Sequence, residues 1–239
     1  MPKARFEGIY HELRRRIEQG AYAYQSFLPP ESELTEEFGC SRNTVRRALS
    51  MLTDVAYVQP IHGKGVRVIW QKSTHGVEGS LEGVESFAEY AARNGMTPST
   101  ECKVFEHITC SESLAARSGF SVGDKLIRLI RVRSLDGKPR QIDHGYFLES
   151  EAHGLTPEIA EDSIYRYFEG TLGMKVLTSR RTVTVQLAGD EDCAYLDLGP
   201  YGCVAVMEGQ SFNSEGIMFE YTHTRIHPEI FCYRMTSKR

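Results

Sequence analysis

The sequence predicts an α+β protein in two parts: three helices and a hairpin in front, an antiparallel sheet with helices behind. Three observations predict it. Apolar residues recur with a helical period through the front of the chain. Behind it, strand-like runs are joined by short turns such as Asp136-Gly137 rather than by crossover helices. The charge also changes sign, from +2 over residues 1–70 to −6 over residues 71–239, as two modules with different partners would show.

The 239 residues are 41% apolar, 25% charged and 10% aromatic, which suits one or two globular domains. This excludes a disordered tail, a collagen-like fibre and a small disulfide scaffold. No run approaches the roughly 18 to 20 apolar residues of a membrane span. The N-terminus has basic residues without an apolar block or cleavage site, so no secretory signal is expected and the expected location is cytoplasmic. The six cysteines are scattered with no C-x-x-C pair. They predict reduced thiols and neither a zinc ribbon nor a redox motif. No cofactor or metal is expected.

In the front part, Phe6, Ile9, Tyr10, Leu13 and Ile17 form one helical stripe, with Arg14, Arg15 and Arg16 mostly off it and Gly20 as the stop. Leu28-Pro29-Pro30 breaks the chain. Glu31 to Phe38 reads as a short helix with acids in its first turn, ended by Gly39. Ser41 is placed to cap a third helix running to about Thr53.

That third helix carries the most information. At about 100° per residue from Arg42, the apolar side holds Ala48, Leu52, Val45 and Leu49 between roughly 240° and 340°. The opposite side holds Arg42, Arg46, Ser50, Asn43 and Arg47, side chains able to hydrogen-bond phosphates and base edges. A charged helix face is usually just solvated, so the context decides. Tyr57–Ile61 and Val66–Trp70 read as two strands around the turn His62-Gly63-Lys64-Gly65. Three helices followed by a basic-tipped hairpin make a winged helix-turn-helix. A solvated face does not explain why the hairpin tip and the third helix are both cationic.

Leu28-Pro29-x-Glu31-x-Glu33-Leu34, Phe38-Gly39-x-Ser41-Arg42-x-Thr44-Val45-Arg46-x-Ala48-Leu49 and Gly63-Lys64-Gly65 together resemble the signature of the GntR-type bacterial transcription regulators. Pro30 stands where that family commonly has serine, and Ala56 where glycine often follows the third helix. The resemblance implies a homodimer on a near-palindromic double-stranded DNA operator, with the third helix in the major groove and the wing tip at the minor groove. The implied DNA contacts are Ser32, Ser41, Arg42, Asn43, Thr44, Arg46, Arg47, His62, Gly63 and Lys64.

The boundaries that follow are 1–70 for the DNA-binding domain, 71–80 for a polar Gly/Ser-rich linker and 81–239 for the second domain. In the latter, Leu81 to Asn94 reads as a helix ended by Gly95, and Ser111 to Ser118 as a capped helix closed by Gly119. Leu126–Arg133 reads as a strand returning through Asp136-Gly137 into a second strand that contains Ile142 and Tyr146. Pro157 to Leu172 reads as one helix. Val176–Leu187, Cys203–Phe212, Ile217–Ile226 and Ile230–Met235 read as further strands, with Asn213 to Gly216 as a turn.

Arg131 and Arg133 lie two apart on one strand, so they share a face with Ile127 and Leu129. Two readings fit. The pair is the cationic floor of a cavity that takes a phosphate or carboxylate, or it pairs with acidic residues at a sheet edge. Spacing alone does not separate them.

Arg131-Val132-Arg133-x-x-x-Gly137-x-Pro139, Ser163-Ile164-Tyr165-x-Tyr167 and Glu220-Tyr221-Thr222 resemble the UTRA sensor domain of the HutC-type branch, whose fold is similar to chorismate lyase. Ser86-Phe87-x-Glu89, the run from Ser163 to Gly173 and Asp190-Glu191-Asp192 are similar to the trehalose-responsive members, whose effector is trehalose 6-phosphate. The resemblance implies that Arg131, Arg133, Ser86 and Ser163, beside Phe87, hold the phosphate. It offers Asp143, Tyr146, Tyr165, Tyr167, Glu220, Tyr221 and Arg225 to the sugar hydroxyls. Each tyrosine has the alternative of being core, and Glu220 of pairing with an arginine.

The function expected is a repressor of a trehalose operon released by trehalose 6-phosphate. Another phosphosugar, a phosphonate or an organic acid is the alternative effector. A lyase-like enzyme rests on fold alone, which does not establish function. The chain has no G-x-S-x-G, H-E-x-x-H or P-loop. His223 and His227 are four apart in or after a predicted strand, where they share no helical face.

Overall fold

The computed structural model describes residues 5–71, 79–80 and 85–234. The chain divides into two units, one through residue 76 and one from residue 77 to residue 235. The first holds α1 (Arg5–Glu18), α2 (Glu31–Glu37), α3 (Arg42–Asp54), β1 (Val58–Ile61) and β2 (Gly65–Val68).

One core forms because each element turns its apolar side to the same centre. Ile9, Leu13 and Ile17 of α1, Leu34 of α2, and Val45, Ala48, Leu49 and Leu52 of α3 are buried with Val58 and Val68 of the hairpin. Burying a residue such as Leu13 stabilises the fold by about 1.5–3 kcal/mol. The arginines of α1 are neutralised on its surface: Arg14 by Glu18, Arg15 and Arg16 by Glu12, and Arg16 also by Glu37 at 2.6 Å.

Ser41 caps α3 by accepting the Thr44 amide at 3.3 Å. Pro30 gives α2 no side-chain cap, whereas Arg5 donates to the carbonyls of Phe38 and Gly39 at the other end of α2. Ala56 has φ +55°, a left-handed conformation that costs a side-chain-bearing residue about 1–2 kcal/mol and glycine nothing. In the antiparallel wing Val58 faces Val68 and Ile61 faces Gly65. Residues 26–28 run along β2 as a further short edge: the Leu28 amide donates to Val66 and the Val68 amide to Ser26, both at 2.8 Å, and Phe27 pairs with Arg67.

In the second unit, β3 (Gly79–Ser80) is followed by α4 (Phe87–Arg93), β4 (Pro98–Thr109), α5 (Glu112–Ser118), β5 (Lys125–Leu135) and β6 (Lys138–Leu148). Then come α6 (Pro157–Glu161), α7 (Ile164–Gly170), β7 (Val176–Leu187), α8 (Asp190–Tyr195), β8 (Cys203–Asn213), β9 (Met218–Ile226) and β10 (Tyr233–Arg234). Six strands form one sheet in the order β4-β5-β6-β9-β8-β7, with every neighbour antiparallel.

Several expected elements are redrawn. α4 starts at Phe87 instead of Leu81, because Ser86 and Glu89 close a capping box; residues 81–84 lie outside the described residues. The single helix expected from Pro157 to Leu172 is two. Asp162 has ψ −120°, and Ser163 begins α7 by accepting the Arg166 amide. The sequence reading did not place β4 or α8. Among the described residues of the strand expected over Ile230–Met235, Tyr233–Arg234 alone pair, in parallel with Gly79–Ser80, and a 3-10 turn covers Pro228–Ile230. Residues 79–80 are therefore strand, not linker; most of the expected linker, 72–78, lies outside the described residues.

The sheet buries both faces. On one, Ile127, Leu129, Phe147 and Phe219 pack with Ile164 and Phe168 of α7, and Leu135, Ala205 and Ile226 pack with Tyr90 and Ala91 of α4. On the other, Leu126, Tyr146 and Tyr221 meet Leu114 of α5 and Phe120 just after it, while Ile130, Ile142, Val204 and Val206 meet Leu196 and Leu198. The first face is left uncovered in its middle, and the cavity described below lies there.

Candidate functional site

The exposed side of α3 carries Arg42, Asn43, Arg46, Arg47 and Ser50, opposite its buried stripe. Arg42 and Asn43 make no side-chain hydrogen bond or ion pair among the described residues. Arg46 donates to Glu31 of α2 at 2.8 Å while 64% exposed, so a weak surface pair holds it. Arg47 lies over the Phe6 ring at 3.7 Å. Thr44 is tied to Ser41, hydroxyl to hydroxyl at 2.9 Å. Ser32, Ser41, His62, Gly63 and Lys64 are exposed. At the wing tip Gly63 has φ +71° and Gly65 +110°, which a side chain would strain. Free guanidinium and amide groups on one helix beside a basic, glycine-shaped tip are the equipment for phosphate and base-edge contacts.

The second unit holds a cavity of about 290 Å³ between the sheet, the start of α4 and the α6–α7 junction. That is the low end of the size range of small-molecule sites. Strand alternation builds its floor. Arg131 faces Asp143, which faces Thr224; in the next row Gly145 faces Thr222, which faces Gly209.

Asp143 is the electrostatic centre. Its Oδ2 accepts from Arg131 Nε at 3.1 Å, from Arg131 Nη2 and from Arg133 Nη2 at 3.0 Å, and its Oδ1 accepts from the Thr224 hydroxyl at 2.8 Å. Burial alone would raise this carboxyl. The charges of Arg133 and Arg131 and the Thr224 hydrogen bond outweigh burial and hold it well below the usual carboxylate range. Arg131 Nη1 also donates to the Ala160 carbonyl at 3.2 Å, so all three of its nitrogens are engaged. Arg133 is different. Its Nε is buried without a partner, and its guanidinium lies 5.2 Å from the Phe87 ring. Burial first and the charge of Arg131 second push its pKa down to about 10, so it stays cationic near neutral pH.

Arg181 of β7 lines the same cavity and makes no ion pair among the described residues. Along the wall, Tyr165 donates to Glu220 Oε2 at 2.5 Å and lies 3.1 Å from the Ser211 hydroxyl. Burial pushes the Glu220 carboxyl up, and burial with the neighbouring Glu220 pushes the Tyr165 phenol up. Ser86 and Ser163 line the rim, each with its oxygen capping a helix.

Eight of the twelve expected effector residues therefore meet in one cavity: Ser86, Phe87, Arg131, Arg133, Asp143, Ser163, Tyr165 and Glu220. Four do not. Tyr146, Tyr221 and Arg225 lie on the opposite face, because each is an odd number of strand positions from Asp143 or Glu220. There Tyr221 donates to Glu208, and Arg225 is held by both oxygens of Asp192 at 2.6 and 2.7 Å. Tyr167 points away, donating to the His153 carbonyl at 2.6 Å. The sequence reading missed Arg181, Ser211, Thr222 and Thr224. The alternation that includes Glu220 was a sufficient signal for Thr222 and Thr224, whereas Arg181 and Ser211 need the strand register.

Comparison with known proteins follows the same division. Residues 6–68 match the family described as bacterial regulatory proteins, gntR family, and residues 93–231 match the UTRA domain. The chain is 34% identical over 221 residues to the HTH-type transcriptional regulator TreR of Bacillus subtilis, covering 92% of each. It is 27% identical to the HTH-type transcriptional repressor NagR of the same organism, over 89% of this chain and 86% of that one. Among solved structures, the possible transcriptional regulator YydK of B. subtilis superposes with a TM-score of 0.81 over 98% of this chain and all of its own. At 19% identity it speaks for the fold alone. The effector-binding domain of the B. subtilis trehalose repressor matches with a TM-score of 0.53 and 29% identity, over 59% of this chain and 98% of its own.

Proposed function

The chain belongs to the gntR family of bacterial regulatory proteins and carries a UTRA domain, and from that premise we propose a dimeric repressor that trehalose 6-phosphate releases from its operator. The family's members are DNA-binding transcription regulators, not enzymes.

The observation that carries the effector reading is Arg133, buried at the cavity floor with Nε unpartnered, in a cavity also lined by Arg181, which makes no ion pair among the described residues. A buried guanidinium with a free donor is a standing demand for an anion. Arg133 and Arg181, with the hydroxyls of Ser86 and Ser163, take the phosphate in this reading. Arg131 becomes the post that fixes Asp143. Asp143, Thr224, Ser211, Tyr165 and Glu220 remain for sugar hydroxyls. The kinship with the trehalose repressor selects the sugar.

The DNA contacts stay those of α2, the capped α3 and the wing tip: Arg42, Asn43, Thr44 and Arg46 toward base edges or phosphates, and Ser32, Ser41, Arg47, His62, Gly63 and Lys64 toward the backbone. A dimer sets half-sites about one helical turn, roughly 34 Å, apart. The second copy is assigned to β7. It is an edge strand of twelve residues with Val183, Val185 and Leu187 exposed at 40%, 68% and 84%. An uncovered apolar edge invites pairing, and a two-fold axis closes it. Sedimentation of the full chain should give twice the chain mass, and Val185→Glu should shift it to monomer; an unshifted dimer removes β7 from the interface.

The effector is tested by thermal unfolding with trehalose 6-phosphate, trehalose or glucosamine 6-phosphate at equal concentration. A ligand that binds only the folded state raises the melting temperature. The rise should be large with trehalose 6-phosphate and much smaller with trehalose. Equal rises for these two would sink the phosphate role of Arg133 and Arg181. A rise with glucosamine 6-phosphate alone would replace the sugar.

A further inference from the structure

The outward face of the wing carries an arginine that no role assigned so far uses. Strand alternation buries Val58 and Val68 in the core, so Gln59 and Arg67, paired across β1 and β2, point the other way. Phe27 pairs with Arg67 on the same side. Its ring lies 4.7 Å from the Arg67 guanidinium carbon, and the Phe27 Cδ1 lies 3.6 Å from where a Gly65 side chain would begin. The ring thus rests between the wing glycine and the arginine while remaining 38% exposed.

Most arginines of this unit are engaged by protein oxygens: Arg5 by two carbonyls, and Arg14, Arg15, Arg16 and Arg46 by glutamates. The Arg67 side chain has no hydrogen bond or ion pair among the described residues, and its Nε is buried without a partner. A guanidinium stacked on an aromatic ring keeps its charge and loses rotational freedom. It is therefore organised for an anion before the anion arrives.

We propose that Arg67, held against Phe27, is a backbone-phosphate clamp of the wing, fixing how the Gly63–Gly65 tip sits on the duplex. This rests on the DNA-binding reading above and adds residues to it. Phe27 is a positioning residue that acts through Arg67. Arg47 stacked on Phe6 is the same device on α3, which gives this unit two aromatic-braced cations that no carboxylate among the described residues neutralises.

The test uses the full chain and a duplex selected by the unmodified protein from a random-sequence pool. Failure to select any duplex would defeat the DNA-binding reading itself, separately from this clamp. With a duplex in hand, affinity is measured across a salt series for the unmodified protein, Arg67→Gln, Arg67→Lys and Phe27→Leu. Each phosphate contact contributes about 0.9 to the slope of log affinity against log salt. Arg67→Gln should lower that slope by about one and weaken binding by roughly 10-fold at 0.1 M salt, alike for selected and scrambled duplexes. Arg67→Lys should retain the slope, and Phe27→Leu should lose part of the affinity. An unchanged slope in Arg67→Gln would overturn the proposal. So would a fall in melting temperature without a change in slope.

Discussion

On α3, Arg42 and Arg46 stand in solvent, one without a partner among the described residues and one leaning on Glu31. In the cavity, Arg131 and Arg133 share a single carboxylate, and the side chains of Arg131 and Asp143 are each only 4% exposed. The residue type and the kind of target are the same, but the surroundings are opposite. Exposed arginines are screened by salt and act collectively on a polyanion. Buried arginines are screened little, so they must be neutralised inside the protein before any ligand comes. The difference teaches that removing an arginine's partner is a binding experiment on α3 and a folding experiment in the cavity.

The strongest way to break that comparison is Asp143→Asn. It removes the carboxylate that two buried guanidiniums share and should destabilise the fold by about 3–5 kcal/mol; denaturant unfolding of the full chain reads this directly. The pH profile sharpens it. Because the Asp143 carboxyl is held below its ordinary value, its stabilisation is complete above the unfolded pKa of about 3.9. It is then lost as pH falls toward the depressed folded value. The unmodified chain should therefore lose stability in that acid window, and Asp143→Asn should show a flatter profile there. Equal stability of the two proteins at neutral pH would show that the cavity tolerates its cations unaided.

A smaller effect is expected from Arg46→Ala, and in the other observable. Operator binding should weaken by roughly 1–3 kcal/mol, while folding stability changes by no more than about 0.5 kcal/mol. Filter binding or fluorescence anisotropy measures the first and thermal unfolding the second. A stability loss as large as that of Asp143→Asn would erase the distinction between the two arginine settings.

The two regions also differed in how well they could be read from the sequence. The DNA-facing unit is local: a helical period and a cap at Ser41 lie within a few residues of what they organise. At the turn after α3 only the departure was visible, Ala56 standing where glycine is common; its left-handed backbone came from the structure. The cavity is non-local. Arg131 and Arg133 were identified, and Asp143 with them, but the role of Asp143 as their shared partner depends on how β5 pairs with β6. Tyr221 and Glu220 were both offered to the ligand, although neighbours on a strand point to opposite faces, so local parity alone excludes one of them. The break between α6 and α7 was masked by continuous helical composition, even though Asp162-Ser163 was a start signal in the middle of it. β4 escaped because its alternation slips at a bulge between Cys102 and Val104.

The Glu31–Arg46 pair has a consequence for how the regulator finds its site. In the free protein Glu31 holds Arg46 at 2.8 Å, where a base edge would stand in the DNA complex proposed above. A duplex lacking the right base at that position gives Arg46 little reason to leave Glu31, and such a complex forfeits one cationic contact. A genome presents a million or more such wrong positions, and every contact withheld from them shortens the dwell time on each. With the proposed Arg46 contact, the glutamate would work as an internal competitor, speeding the scan along non-cognate DNA while the cognate site recovers the arginine.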